Sequence, residues 1–229
     1  MATSPTGRGE ATREALIRAA LEIFGRDGFQ AASTRAIASA AGVNQAAIGF
    51  HFGGKQGLYN ATFRYVMGRV TERLGPVLEG IEAQLRTRHD KKMSAADRLE
   101  HCLPLVYRLT DGLVAMFTSE ESKSWARLIL REQQDPTAAF EAHYDESFGR
   151  ISALVTDLIA RAQNRTVRDR RVRLTVPTMI GQALIFRAGA ATVMRHLGCR
   201  RYGDKEVAEI QALIRRNVAA MLKAGVKGS

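Results

Sequence analysis

STRAIASAAGVNQAAIGFHF, Ser33 to Phe52, reads as two short helices joined by a glycine turn. Ser33 or Thr34 is placed to cap the first, and Ile37 with Ala41 forms an i, i+4 apolar pair on its inner face. Gly42 ends that helix, because glycine takes the left-handed conformation without a Cβ clash, and Val43 anchors the chain where it reverses. Asn44 is the next cap. On the second helix Ile48 and Phe52 are again an i, i+4 pair and should face a core, which puts Ala46, Ala47 and Phe50 on the opposite side. That outward face is small and mostly uncharged, as a helix lying deep in a major groove about 12 Å wide requires. Gln45, on the first turn, has an amide that can pair bidentately with adenine, worth roughly 1–3 kcal/mol of discrimination. The pattern is that of a DNA-reading helix-turn-helix.

Upstream, Ala15, Leu16, Ala19, Ala20, Ile23 and Phe24 recur at three- and four-residue spacing from Glu10 onward, and Gly28 is expected to stop that helix. Phe29 should follow into the core shared with the helix-turn-helix, completing a three-helix head. Residues 1 to about 9, rich in Ser, Thr, Pro and Gly, read as a disordered arm.

These residues resemble the DNA-binding domain of the TetR family of bacterial transcriptional repressors, and the resemblance continues through His51, Phe52 and Lys55 to Leu58. It implies that Thr34, Gly49, Phe50, His51 and Lys55 contact the DNA backbone, the lysine gripping a phosphate, while Arg35 and Gln45 read bases. One departure stands out. The family commonly has an aromatic residue where this chain has Gly49, so one phosphate contact is expected to be missing and the recognition helix carries an internal glycine. The plain alternative is a helical hairpin inside an all-α core.

At 229 residues the chain can hold one or two domains with a sizeable core. No apolar run long enough for a membrane span occurs, and the start MATSPTGRGEATRE lacks an apolar signal-peptide core, so the expected location is the cytoplasm, on the nucleoid when bound to DNA. Cys102 and Cys199 have no second ligand at metal-finger spacing, and each reads as a buried, inert thiol in preference to a redox or metal sensor; no metal or cofactor is expected. The net charge of +11 favours a polyanionic partner, but the residues through Leu58 hold six basic groups against four acidic ones. The motif, and not the bulk charge, therefore carries the DNA assignment.

Beyond Gly53-Gly54 a helix is expected from Lys55 toward Gly75-Pro76, where proline should kink or interrupt it. In the family resembled, the start of this helix touches DNA and its far end lines a ligand cavity, which makes it the mechanical link. Further helices are expected at about Ser94 to Thr118 and Glu120 to Gln134. Pro136 then starts another, striped by Phe140, Tyr144, Phe148, Ile151, Leu154 and Leu158. The segments REQQDPTAAFE (Arg131 to Glu141) and PTMIGQALIFRAG (Pro177 to Gly189) resemble the ligand-binding domain of the CecR-like branch of TetR-type repressors. That resemblance makes drug-efflux or antibiotic-sensitivity genes a plausible target class. NRTVRDRRVR, Asn164 to Arg173, reads as a solvated helix start or loop in preference to a second nucleic-acid site.

The last two helices are expected at Arg168 to Leu197 and Asp204 to Lys223. The final one carries Val207, Ile210, Leu213, Ile214, Val218, Met221 and Leu222 at helical spacing, and the one before it Met179, Ile180, Ala183, Leu184, Phe186, Ala190 and Val193. The resemblance implies that these two helices form a homodimer through a four-helix bundle, with an intrachain hairpin as the alternative.

The expectation is an all-α chain of about nine helices. Its N-terminal arm and helix-turn-helix DNA-binding domain span residues 1–54, and its helical ligand-binding and dimerisation domain spans residues 55–229. No glycine-rich phosphate loop, nucleophile elbow or His-Glu-x-x-His helix appears, so no catalytic residue is expected. Met116, Phe117, Trp125 and Met179, with Phe186, are candidates for the apolar wall of an effector cavity, and Arg131, His143, Tyr144 and Gln182 for its polar contacts. The function expected is a ligand-responsive repressor that binds a palindromic double-stranded DNA operator as a dimer and is released by a small molecule. The competing readings are a small-molecule carrier or enzyme whose helical N-terminal module does not bind DNA, and an architectural DNA binder.

Overall fold

A computed structural model describes residues 5–86, 93–144 and 148–226. Eleven helices follow in order: α1 (Pro5–Ala31), α2 (Thr34–Ala40), α3 (Ala46–Phe52), α4 (Lys55–Arg86), α5 (Ala95–Thr118), α6 (Ser122–Gln134), α7 (Ala138–Tyr144), α8 (Arg150–Ala162), α9 (Arg170–Ala188), α10 (Ala190–Leu197) and α11 (Asp204–Gly225). The fold is all-α, as expected, with two small helices more than the sequence pattern resolves. None of the described helices is long and apolar enough to cross a membrane.

Two expectations are corrected and one is met. α1 begins at Pro5, so the arm is shorter than nine residues; residues 1–4 lie outside the described chain. Gly28 stops the long part of α1 as expected: at φ 80° and ψ 173° it leaves the helical conformation, and one further helical turn follows to Ala31. Pro76 does not break α4, which runs through it to Arg86. Pro76 lies on the exposed side of α4, where water can serve the backbone that loses the proline's N–H.

By packing, the chain forms two compact units. The first combines the chain up to Val70 with Glu121–Tyr144; the second combines Thr71–Glu120 with the remainder. In the first, α1 packs on α2, α3 and α6. Leu16, Ala20 and Phe24 of α1, Ile37 of α2, Ile48 of α3, Leu58, Tyr59 and Phe63 of α4, and Leu128 of α6 are buried in this core. Phe24 and Tyr59 meet edge to face with ring centroids 4.7 Å apart, Phe29 and Tyr59 at 5.0 Å, and Phe63 and Phe140 at 6.0 Å.

In the second unit α5 is central and packs against α8, α9 and α11. Its stripe of Leu99, Cys102, Leu105, Val106, Leu109, Leu113 and Val114 is buried. Ser94 starts it as expected, its hydroxyl accepting from the Asp97 N–H at 3.1 Å. The helix expected from Arg168 to Leu197 is two helices, α9 and α10, broken at Gly189 (φ −105°, ψ 20°). Asp169 caps α9 by accepting from the Arg171 N–H at 2.8 Å. Arg165 hydrogen-bonds that carboxylate at 2.8 Å, holding it below the usual carboxylate range, and also donates to the Gly225 carbonyl at 2.7 Å. The arginine-rich segment at 164–173 thus opens a helix and fastens the end of α11.

Candidate nucleic-acid interface

The two short helices are built as their caps dictate. Ser33 Oγ accepts from the Ala36 N–H at 3.4 Å, and Asn44 Oδ1 from the Ala46 N–H at 2.8 Å. Between them Gly42 sits at φ +67°, and the Val43 N–H returns to the Ala38 carbonyl at 3.0 Å, closing the turn. Ile37 and Ile48 are buried and fix which side of each helix faces inward. Phe52 is half-buried, with the Arg13 guanidinium of α1 5.6 Å from its ring centroid.

The outward side carries Ala46, Gly49 and Phe50, all exposed, with Ala47 half-exposed; the Phe50 side chain is 86% exposed. Gln45 is exposed at the start of α3, and its Nε2 donates to Thr34 Oγ1 at 3.1 Å. That bond leaves one amide hydrogen and the amide oxygen available, the donor and acceptor that an adenine edge needs. Arg35 is exposed beside Thr34 on the first turn of α2. His51 is half-buried, its ring edge to face with Phe50 at 5.0 Å.

Lys55 has an unforeseen role. Its Nζ donates to the Gln30 carbonyl at 3.0 Å and lies 4.9 Å from the centroid of the Phe29 ring. An ammonium has three donors, so the lysine can tie the end of α1 and still present hydrogens to an anion. Gly57 was also missed. A Cβ there would collide with the Phe52 carbonyl oxygen, so only glycine lets α4 start this close to the end of α3.

The candidate effector residues fall in both units. In the first, Trp125 is buried and its Nε1 meets no hydrogen-bond partner among the described residues. Arg131 is engaged: Nη2 donates to the Arg26 carbonyl at 3.0 Å, and the guanidinium fills the space above Gly28. Tyr144 is exposed and its ring meets that of Phe140 at a tilt, centroids 5.4 Å apart; the His143 side chain lies outside the described residues. In the second unit Met116 and Met179 are buried on the packed helices α5 and α9, while Phe117, Gln182 and Phe186 are half-buried, with Gln182 Oε1 meeting no hydrogen-bond partner among the described residues.

Missed by sequence reading altogether was Arg187, which follows Phe186. It donates to the carbonyls of Phe117 at 2.8 Å and Ser119 at 2.5 Å, capping the end of α5, and burial pushes its pKa down from the usual arginine value.

A capped helix-turn-helix whose second helix shows solvent a small, uncharged face is the reading head of a DNA-binding transcriptional regulator. Residues 16–62 match the family described as bacterial regulatory proteins, tetR family, and residues 105–225 match the one described as the C-terminal domain of the HTH-type transcriptional dual regulator CecR. The chain belongs to the TetR family, in its CecR branch, and is a regulator of transcription and not an enzyme. The CecR regulator of Shigella flexneri is 29% identical over 218 residues, 95% of this chain and 94% of its own. A TetR-like transcriptional regulator from Rhodococcus sp. RHA1 shares the fold with a TM-score of 0.59 at 21% identity, covering 98% of this chain and 100% of that one. AibR, solved in complex with isovaleryl coenzyme A and operator DNA, shares it with a TM-score of 0.57 at 13% identity over 92% of this chain and 97% of its own. Regulators of this family bind operator DNA and ligands, typically as dimers.

Proposed function

We propose that the protein is a homodimeric repressor whose two heads read the halves of a palindromic operator and which a small molecule releases. Residues 1–54 form the reading head in this scheme and residues 55–229 the effector and dimerisation part, acting in the cytoplasm on nucleoid DNA. The observation that carries it is the outward face of α3, bounded by Gln45 at its start and presented with no acidic side chain to repel phosphate. Gln45 and Arg35 read base edges, Ala46 and Ala47 allow close approach, and Thr34, Gly49, His51 and Lys55 lie along the backbone.

Homodimerisation rests on α9 and α11. Leu174 and Ile185 on the first and Leu213 on the second are exposed apolar side chains on helices whose other faces are buried, and a second copy would cover them. The effector is an apolar small molecule held between α5 and α9, where Met116, Phe117, Met179 and Phe186 supply apolar side chains. Gln182 Oε1, buried and without a hydrogen-bond partner among the described residues, is an acceptor for a donor on that molecule. Such a ligand acts only through a difference in affinity between the operator-bound and free conformations.

The test is selection of genomic DNA fragments by the purified protein, followed by titration of the recovered site at several salt concentrations. A palindrome bound by one dimer is the expected result. Failure to enrich any sequence at moderate salt would reject the reading.

A further inference from the structure

Resting on that reading, we propose that Phe50 is a base-reading residue, recognising the C5 methyl group of a thymine, and not a contact to the sugar-phosphate backbone. Successive residues of a helix are about 100° apart. Ala46 and Phe50 stand two positions either side of Ile48, the buried residue of α3, and so lie about 160° from the core direction. Together they form the centre of the outward face. Ala47 and Gly49 are its flanks, and His51, three residues past Ile48, falls back toward the core and is half-buried. A residue at the centre of a recognition helix meets the floor of the groove, while flank residues meet its walls.

The chemistry of the side chain agrees with that position. A phenyl ring has no hydrogen to give a phosphate. In the major groove the apolar feature that distinguishes one base from another is the thymine methyl, and phenylalanine is among the side chains that contact it. The ring is 86% exposed, the largest exposure among the big apolar side chains described. Among the described residues its ring partner is His51, with the two rings edge to face at 5.0 Å. Its neighbour is Gly49, where a Cβ would meet no atom within 4 Å, so no side chain on that flank competes for the space beside the ring. With Ala46 one turn before it, Phe50 makes an apolar pair that matches methyl groups, complementing the polar adenine contact of Gln45 at the start of the same helix.

The experiment uses the full-length dimer and a duplex carrying the palindrome recovered by selection. In a companion series each thymine of the half-site is replaced in turn, in both halves, by deoxyuridine. That exchange removes the C5 methyl and keeps every base-pairing hydrogen bond. Fluorescence anisotropy gives Kd for the wild type and for Phe50→Ala, with circular dichroism and thermal melting confirming that the variant folds. The expected result is one position where uracil weakens wild-type binding by about fourfold per half-site, the worth of one buried methyl, and leaves Phe50→Ala unaffected. Tolerance of uracil at every position, an equal loss in both proteins, or a half-site without thymine would each overturn the assignment while leaving the regulator intact. If selection recovers no sequence at all, the regulator reading falls and this one with it.

Discussion

Tyr59 and Glu132, 73 residues apart, meet in the interior of the first unit, where the phenol hydroxyl donates to a carboxylate with no exposed surface. The same carboxylate accepts from the Thr137 N–H at 2.9 Å and the Thr137 hydroxyl at 3.1 Å. A buried carboxylate is tolerated when such donors replace its water. Here they join the start of α4 to the end of α6 and the chain entering α7. Glu132→Ala would leave the Tyr59 hydroxyl unpaired in the core and take the acceptor from the half-buried Thr137 N–H, and a loss of about 3 kcal/mol is expected in urea unfolding. Glu132→Gln, which keeps one acceptor oxygen, should lose about half as much. Equal stability of Glu132→Ala and the wild type would show that the network is not holding the unit.

The same pair sets a limit in alkali. Burial first, and then the hydrogen bond to Glu132, raise the Tyr59 pKa above its ordinary value of 10.0. A folded state that holds its proton more tightly than the unfolded chain contributes stability that is complete below pH 10 and declines as pH rises beyond it. Stability should therefore fall above about pH 10, and Tyr59→Phe, which has no proton to lose, should flatten that decline. Thermal melting of both proteins from pH 8 to 11 measures it; parallel profiles would assign the decline to other groups.

Gln45 and Thr34 form a second pair, across the helix-turn-helix. The threonine hydroxyl accepts one amide hydrogen and so fixes which way the carboxamide faces. Gln45→Ala should lose about 1–3 kcal/mol of discrimination at one adenine of each half-site with the fold unchanged. Thr34→Val should lose a smaller part of the same discrimination, because the amide is present but less restrained. Competition with site variants at fixed salt reads both. Unaltered preference in Gln45→Ala would remove that residue as a reader.

The reading head was legible because its signals are local. Ser33, Gly42 and Asn44 act within four residues of themselves, and apolar spacing alone separates Ile48 from Phe50. What stayed hidden depends on partners far along the chain or on solvent. Lys55 reaches the Gln30 carbonyl 25 residues back, and no periodicity announces a lysine that ties a helix end. Tyr59 and Glu132 each look ordinary within their own helix. Proline predicts a kink or an interruption at Pro76, yet the helix continues there, on the exposed side of α4 where water can serve the backbone. The division at Gly189 escaped notice because the apolar stripe resumes in register at Ala190 and Val193 on the far side of one non-helical residue.

Gly49 separates helix stability from DNA fit. It is exposed in the interior of α3, its φ is not positive, and a Cβ would touch nothing in the protein. Gly49→Ala should therefore stabilise the head by about 0.5–1 kcal/mol through reduced freedom of the unfolded chain. The DNA is the only body that could meet the added methyl. Tighter melting with unchanged operator affinity would put this flank clear of the backbone; weaker binding would put it in contact. A loss of stability would contradict the geometry outright.

The proposed dimer makes a prediction that its own fold can bear. Ile185 is 50% exposed and Leu213 43%, so a charged group at either position can reach water in an isolated chain, and each substitution should change the melting temperature of the monomer little. In a bundle formed with a second copy the same charges would be buried without partners, at several kcal/mol each. Ile185→Arg combined with Leu213→Arg should therefore turn a dimer into a folded monomer in sedimentation velocity. Because a palindrome is read by two linked heads, the same variant should bind operator far more weakly than the wild type while its helix content is retained. A variant that remains dimeric with wild-type affinity would move the interface away from α9 and α11.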